Sequence, residues 1–209
     1  MIENENPIDS ILKNSISFCI IENFLDMNTT SEICSFLYQI HRQEYINIDN
    51  NSHIYGQSIY NLREFPNKYF DNLNLDLYNN YYYNQIVNSI ISLFQENNYI
   101  CRRIDEYLGK SYYPSVINNF NDGLDLHFDF APIDLNLWEI FRNTKEQYSI
   151  IIPLTDFTGG ETILYDREWK INDTENYKKD ENYYSYSMDV VRGYPHQEIK
   201  HNKGNLIFF

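Results

Sequence analysis

Alanine is nearly missing from this sequence: it occurs once, at Ala131, in 209 residues. Glycine (7) and proline (6) are also scarce, and the three cysteines, Cys19, Cys34 and Cys101, are scattered. No two of them have Cys-x-x-Cys spacing, which excludes the common zinc and dithiol redox motifs. An odd, widely spaced set fits reduced thiols. Positive charge is short too: 16 Lys and Arg against 30 Asp and Glu leave a formal net charge of −14. Phosphate contacts need a basic field, so neither nucleic acid nor an anionic membrane surface is expected as a partner. No apolar run approaches the roughly 20 residues that cross a bilayer. The residues after Met1, Ile-Glu-Asn-Glu-Asn, lack the basic start of a signal peptide. A cytoplasmic protein is the expectation.

What the chain has in plenty is aromatic side chains, 20 Tyr and 13 Phe, within a hydrophobic content of 43%. That composition supports a packed core and excludes a disordered chain. The length suits one domain with a substantial interior. No internal repeat or linker divides it, so residues 1–209 read as a single domain.

Several elements can be read in order. Residues 16–25, Ile-Ser-Phe-Cys-Ile-Ile-Glu-Asn-Phe-Leu, read as a strand. Residues 26–29 then turn into a helix, with Thr29 and Glu32 at capping-box spacing. Ile33, Phe36, Leu37 and Ile40 follow at helical period. In the polar stretch 44–62, His53 reads as a surface residue of a loop. Ile86, Val87, Ile90, Ile91 and Phe94 mark a second helix over 84–98, and residues 101–108 read as its extension or as another helix. Residues 111–121 read as a strand ending in the turn Asn121-Asp122-Gly123. Residues 147–157 read as a buried strand. Gly159-Gly160 then makes a tight turn, and residues 161–165 return as the paired strand. The polar run from Asn172 to Asp189 is long for a loop, and such loops tend to be functional. Tyr183, Tyr184, Tyr186 and Met188 near its end are candidates to line a pocket. Asn202-Lys203-Gly204-Asn205 turns into a last strand, Leu206–Phe209.

The chemistry is concentrated in Leu124-Asp125-Leu126-His127-Phe128-Asp129-Phe130. On an extended strand, residues two apart point to one face. An imidazole from His127 and a carboxylate from Asp129 therefore converge. With a second histidine they make a 2-His-1-carboxylate triad, which holds one face of an Fe(II) and leaves the other open. His-x-Asp by itself is common, and a strand-end histidine paired with its neighbour's carboxylate is the bland alternative. Trp138 and Phe141, beyond this stretch, read either as a helical lid over the site or as core, the commoner fate of such aromatics.

The second motif is Pro153-Leu154-Thr155-Asp156-Phe157-Thr158-Gly159-Gly160-Glu161-Thr162. His-x-Asp, then an apolar strand ending Pro-Leu-Thr-Asp-Phe, then Gly-Gly-Glu-Thr, resembles the 2-oxoglutarate/Fe(II)-dependent dioxygenases, most of all their prolyl-4-hydroxylase-like branch. The similarity covers roughly residues 113–209, with a weaker echo near residue 20. It implies a mainly β fold with flanking helices, a double-stranded β-helix (jelly roll, cupin-like), and a long helix near 84–98 that braces the major sheet. It implies Fe(II) held by His127 and Asp129, with 2-oxoglutarate as cosubstrate. Phe120 stands where the family usually has Tyr, a departure at a cosubstrate contact.

Gly204, Leu206 and Phe209 match the family's Gly-x-Leu-x-x-Phe strand, which runs just before the distal histidine. The resemblance therefore puts that ligand, and the basic residue gripping 2-oxoglutarate, beyond Phe209, so the domain is expected to lack its C-terminal end here. The in-chain alternatives are His196, which opens a strand, and His201; for both, a solvated or packing histidine is the simpler reading. Superfamily members that halogenate carry Gly or Ala where this sequence has Asp129, so the resemblance implies hydroxylation or desaturation. Arg167 and Trp169 resemble the branch acting on amino acids and natural products, and a small-molecule or peptidyl substrate is expected. Two other readings stay open. One is a degenerate jelly-roll binding or scaffold protein with an incomplete metal site. The other is a cupin-like enzyme using His127, Asp129 and His196 with another metal.

Overall fold

Gly204 ties distant parts of the chain together. Its φ of 78° is left-handed. Its N–H donates to the Pro153 carbonyl at 2.9 Å, and its own carbonyl accepts from the Leu25 N–H at 2.8 Å. A Cβ added there would lie 2.7 Å from the Leu25 carbonyl oxygen, so only glycine fits. The turn delivers β12 (Leu206–Phe208) between β1 (Cys19–Ile21) and β7 (Ile150–Ile151), both antiparallel to it. The structure, a computed structural model, describes residues 6–40, 43–44, 53–63, 65–71, 76–103, 106–107, 110–120, 123–135, 137–178 and 185–209.

Helices cover this central sheet. α1 (Pro7–Leu12) contributes Ile8 and Ile11, and α4 (Tyr81–Glu96) contributes Ile90, Leu93 and Phe94, all packed with Leu206 and Phe208. Phe94 meets Phe208 edge-on, ring centroids 5.4 Å apart. The stripe read over 84–98 is thus the buried face of a helix bracing a sheet. α2 (Met27–Leu37) packs through Ile33 and Leu37 against Tyr83 and Val87 of α4. Its N-cap is Asp26, whose carboxylate accepts from the Thr29 N–H and hydroxyl, both at 2.8 Å. Thr29 is therefore a first-turn residue and not the cap, because Asp26 satisfies the free amides one turn earlier. α4 stops at Asn97, after which Asn98 is left-handed with φ 65°. Residues 101–103 are consequently irregular, and β4 (Glu106–Tyr107) pairs with β5 (Lys110–Ser111) where a helix was expected.

The other sheets are short and antiparallel. β2 (Gln43–Glu44), β3 (His53–Tyr55) and β6 (Ile117–Asn119) form a second three-stranded sheet. His53 is therefore a half-buried strand residue opposite Asn119, not a surface loop residue. β8 (Thr162–Tyr165) pairs with β11 (His196–Ile199). The expected hairpin of 147–157 with 161–165 does not form. β7 turns to β12, and Gly159-Gly160, with φ of 80° and 74°, carries the chain to a different partner. The long polar run holds a 3₁₀ turn (Ile171–Asn176) and a ladder of β9 (Tyr177–Lys178) with β10 (Ser185–Tyr186); Tyr183 and Tyr184 lie outside the described residues.

α3 (Pro66–Asp71) and α5 (Ala131–Asp134) flank an aromatic cluster of Tyr69, Tyr112 and Trp138. Trp138 is 1% exposed and donates its indole N–H to the Arg63 carbonyl at 3.1 Å. Phe141 packs, partly buried, on the same cluster, so Trp138 is core and Phe141 borders it. The described residues make a β-rich architecture with few helices, and none of these helices is long and apolar enough to cross a membrane.

Candidate metal centre

Residues 124–130 join no ladder, unlike the strand expected for them. They are held at three points instead. The Tyr186 N–H donates to the Leu126 carbonyl at 2.8 Å. The Ala131 N–H donates to the Gln147 side-chain carbonyl at 2.7 Å. The Ser149 hydroxyl reaches Asp129 Oδ2 at 3.5 Å. The stretch thus lies between the approach to β7 on one side and β10 on the other.

His127 and Asp129 converge as their spacing requires: His127 Nε2 is 3.9 Å from Asp129 Oδ1, with both side chains about one-third exposed. His127 Nδ1 lies 2.7 Å from the Asp125 carbonyl oxygen. A carbonyl only accepts, so Nδ1 carries the hydrogen and the neutral ring presents a lone pair at Nε2. Two electron-pair donors then face one another across 3.9 Å. An N/O pair with its imidazole oriented by a backbone carbonyl is donor chemistry that a divalent transition metal, iron included, accepts. His127 and Asp129 fit such an ion.

No third ligand is drawn to them. Among the described residues no three His, Cys, Asp or Glu side chains form a metal-holding group. His196 sits exposed on β11 opposite Tyr165, with its ring 5.5 Å from that ring. His201 is half-buried, 2.8 Å from the Thr162 hydroxyl, and its ring meets Phe157 edge-on. Burial holds the His201 imidazole below the ordinary histidine range, against the opposing charge of Glu161. The structure therefore does not assemble the His127, Asp129 and His196 set of the cupin-like reading.

Beside the pair stands a built wall. The Phe128 ring is stacked on Trp169, with centroids 5.3 Å apart and planes within 9°. Trp169 donates its indole N–H to the Tyr186 hydroxyl at 3.1 Å. Arg167 grips Asp173 with two bonds of 2.6 Å, and Asp173 also accepts from the Lys170 N–H at 2.7 Å. The hydrogen-bonded pair raises the Arg167 pKa and holds the Asp173 carboxyl below the carboxylate range, burial opposing both. Of these residues the sequence had marked Arg167, Trp169 and Tyr186 but not Asp173 or Ser149. Asp173 falls in a polar run with no periodicity, and nothing local announces its partner. Met188, also marked, is exposed.

Comparison with known proteins agrees with this chemistry. The whole chain, residues 1–209, matches the family described as carrier-protein-independent halogenase WelO5. The chain belongs to that family, which is one of non-haem iron, 2-oxoglutarate-dependent enzymes. Leucinostatins biosynthesis cluster protein S of Purpureocillium lilacinum is 32% identical over 108 residues, 51% of this chain and 44% of that protein. The match spans less than half of that relative's length. The superfamily read from the two motifs is thus supported; the prolyl-4-hydroxylase-like branch is not what the chain matches.

Proposed function

We propose that residues 1–209 form one double-stranded β-helix domain of an Fe(II)- and 2-oxoglutarate-dependent oxygenase that hydroxylates an amino-acid-like small molecule or a peptidyl residue. When bound, the iron and 2-oxoglutarate supply the oxidising power against a substrate C–H bond. His127 and Asp129 are the ligands this chain offers, His127 through Nε2 and Asp129 through its carboxylate. One observation carries the choice of reaction: the Asp129 carboxylate lies 3.9 Å from His127 Nε2. The resemblance puts it where halogenating superfamily members have Gly or Ala and leave room for chloride. A member of a halogenase-named family that keeps this carboxylate is fitted to transfer hydroxyl. A relative named for a leucinostatin biosynthesis cluster supports a biosynthetic, small-molecule or peptidyl substrate.

The test is product analysis. The protein, supplied with Fe(II) and 2-oxoglutarate in chloride buffer, is offered pools of amino acids and short peptides, and products are read by mass. A gain of one oxygen, with matching succinate, is the expected result; replacement of hydrogen by chlorine overturns this reading of Asp129. The second reading, a jelly-roll binding protein with an incomplete metal site, is favoured by the two-ligand set among the described residues. It requires that no succinate form above the metal-free control.

A further inference from the structure

We infer that Trp169 is a positioning residue for the His127–Asp129 pair, an inference that rests on the metal-site reading above. The pair sits on backbone without a ladder, so nothing regular fixes its register. A metal ligand needs sub-ångström placement, which irregular backbone does not provide unless neighbours immobilise it. Phe128, between the two ligands in sequence, is stacked flat on Trp169. The Trp169 indole is pinned by its hydrogen bond to the Tyr186 hydroxyl, and Tyr186 in turn donates its backbone N–H to the Leu126 carbonyl. The contacts close a ring through Leu126, His127, Phe128, Trp169 and Tyr186, with His127 between two anchored neighbours.

Trp169 has its own support. Arg167 and Asp173 bridge the chain on either side of it, their side chains 11% and 8% exposed, and Asp173 also fixes the Lys170 amide. The indole therefore rides on an arc closed at its base. Losing the indole releases Phe128 and lets the backbone at 127–129 relax, so that His127 and Asp129 no longer meet one ion together.

The experiment is a Co(II) titration of the full chain, read by visible absorption, with a thermal melt of each metal-free protein to show that it is folded. Wild type should bind Co(II), and His127→Ala should not. Trp169→Leu should weaken binding by about tenfold to a hundredfold, the range for groups that orient ligands, and should change the Co(II) spectrum. Trp169→Phe, which keeps a ring for stacking but loses the indole N–H, should restore the wild-type spectrum and bind no more weakly than Tyr186→Phe. Tyr186→Phe, which removes the acceptor for the indole, should cost about threefold to tenfold. A folded Trp169→Leu protein with wild-type affinity and spectrum, beside a silent His127→Ala, overturns the positioning role and leaves the metal site standing. Should Trp169→Leu not fold, unchanged affinity and spectrum in Tyr186→Phe overturn the role instead. Co(II) bound equally by His127→Ala, or not at all by wild type, removes the site and this inference with it.

Discussion

The sheet of β1, β12 and β7 and the stretch around His127 are built on opposite principles. In the sheet, Leu206, Ile207 and Phe208 are at most 1% exposed, and α1 and α4 cover Leu206 and Phe208. Each such side chain contributes about 1.5–3 kcal/mol by leaving water. Around His127 the His127 and Asp129 side chains are about one-third exposed, and the backbone is fixed by a few hydrogen bonds and one stacked ring. Stability is stored where the strands pair and the side chains are buried; His127 and Asp129 stand where the backbone joins no ladder, and aromatic and hydrogen-bonded neighbours hold their geometry.

The difference is broken most strongly from the sheet side. Phe208→Ala should cost about 3–5 kcal/mol in urea denaturation, since it empties a filled core position against Phe94 and Tyr148. A loss below 1 kcal/mol would show that this sheet is not the stability centre. Gly204→Ala should cost about 1–3 kcal/mol, because it forces a left-handed φ and pushes a methyl against the Leu25 carbonyl. The same denaturation checks it, and an unchanged midpoint would mean that the turn relaxes without penalty.

On the site side the effect is smaller and depends on pH. Arg167 holds the Asp173 carboxyl below its ordinary range. An unfolded Asp titrates near about 3.9. The stability from the pair is therefore complete above that value and is lost as pH falls through the lower folded value. Asp173→Asn should cost about 1–3 kcal/mol at neutral pH and flatten the acid limb of the stability profile. An unaltered acid limb would separate the arc carrying Trp169 from this ion pair.

The sequence announced these two regions unequally. The α4 stripe was legible because Ile90 and Phe94 recur at helical period and face an apolar strand. Residues 206–208 were legible as an apolar run after a glycine turn. The expected hairpin across Gly159-Gly160 was not formed because the turn is local but the partners are not. β8 pairs with β11 and β7 with β12, partners that lie far along the chain from the turn. Asp26 and Thr29 are both good caps, and only the backbone geometry separates them. At the site, His127 and Asp129 were legible because a spacing of two brings side chains together in any extended chain, ladder or not. The Phe128–Trp169 stack and the Asp173 clamp were not, since stacking and ion pairing leave no period in a sequence.

Asp129 stands as the proposed metal ligand in a family named for halogenation. Anaerobic metal analysis and Co(II) titration in chloride-free buffer, comparing wild type with Asp129→Gly, decide whether it is one. Asp129→Gly vacates the anionic position while leaving the His127–Asp125 hydrogen bond in place. Wild type should take up one metal ion per chain, and Asp129→Gly, still folded by thermal melt, should lose most of that affinity. Equal affinity in the two proteins would show that Asp129 holds no metal.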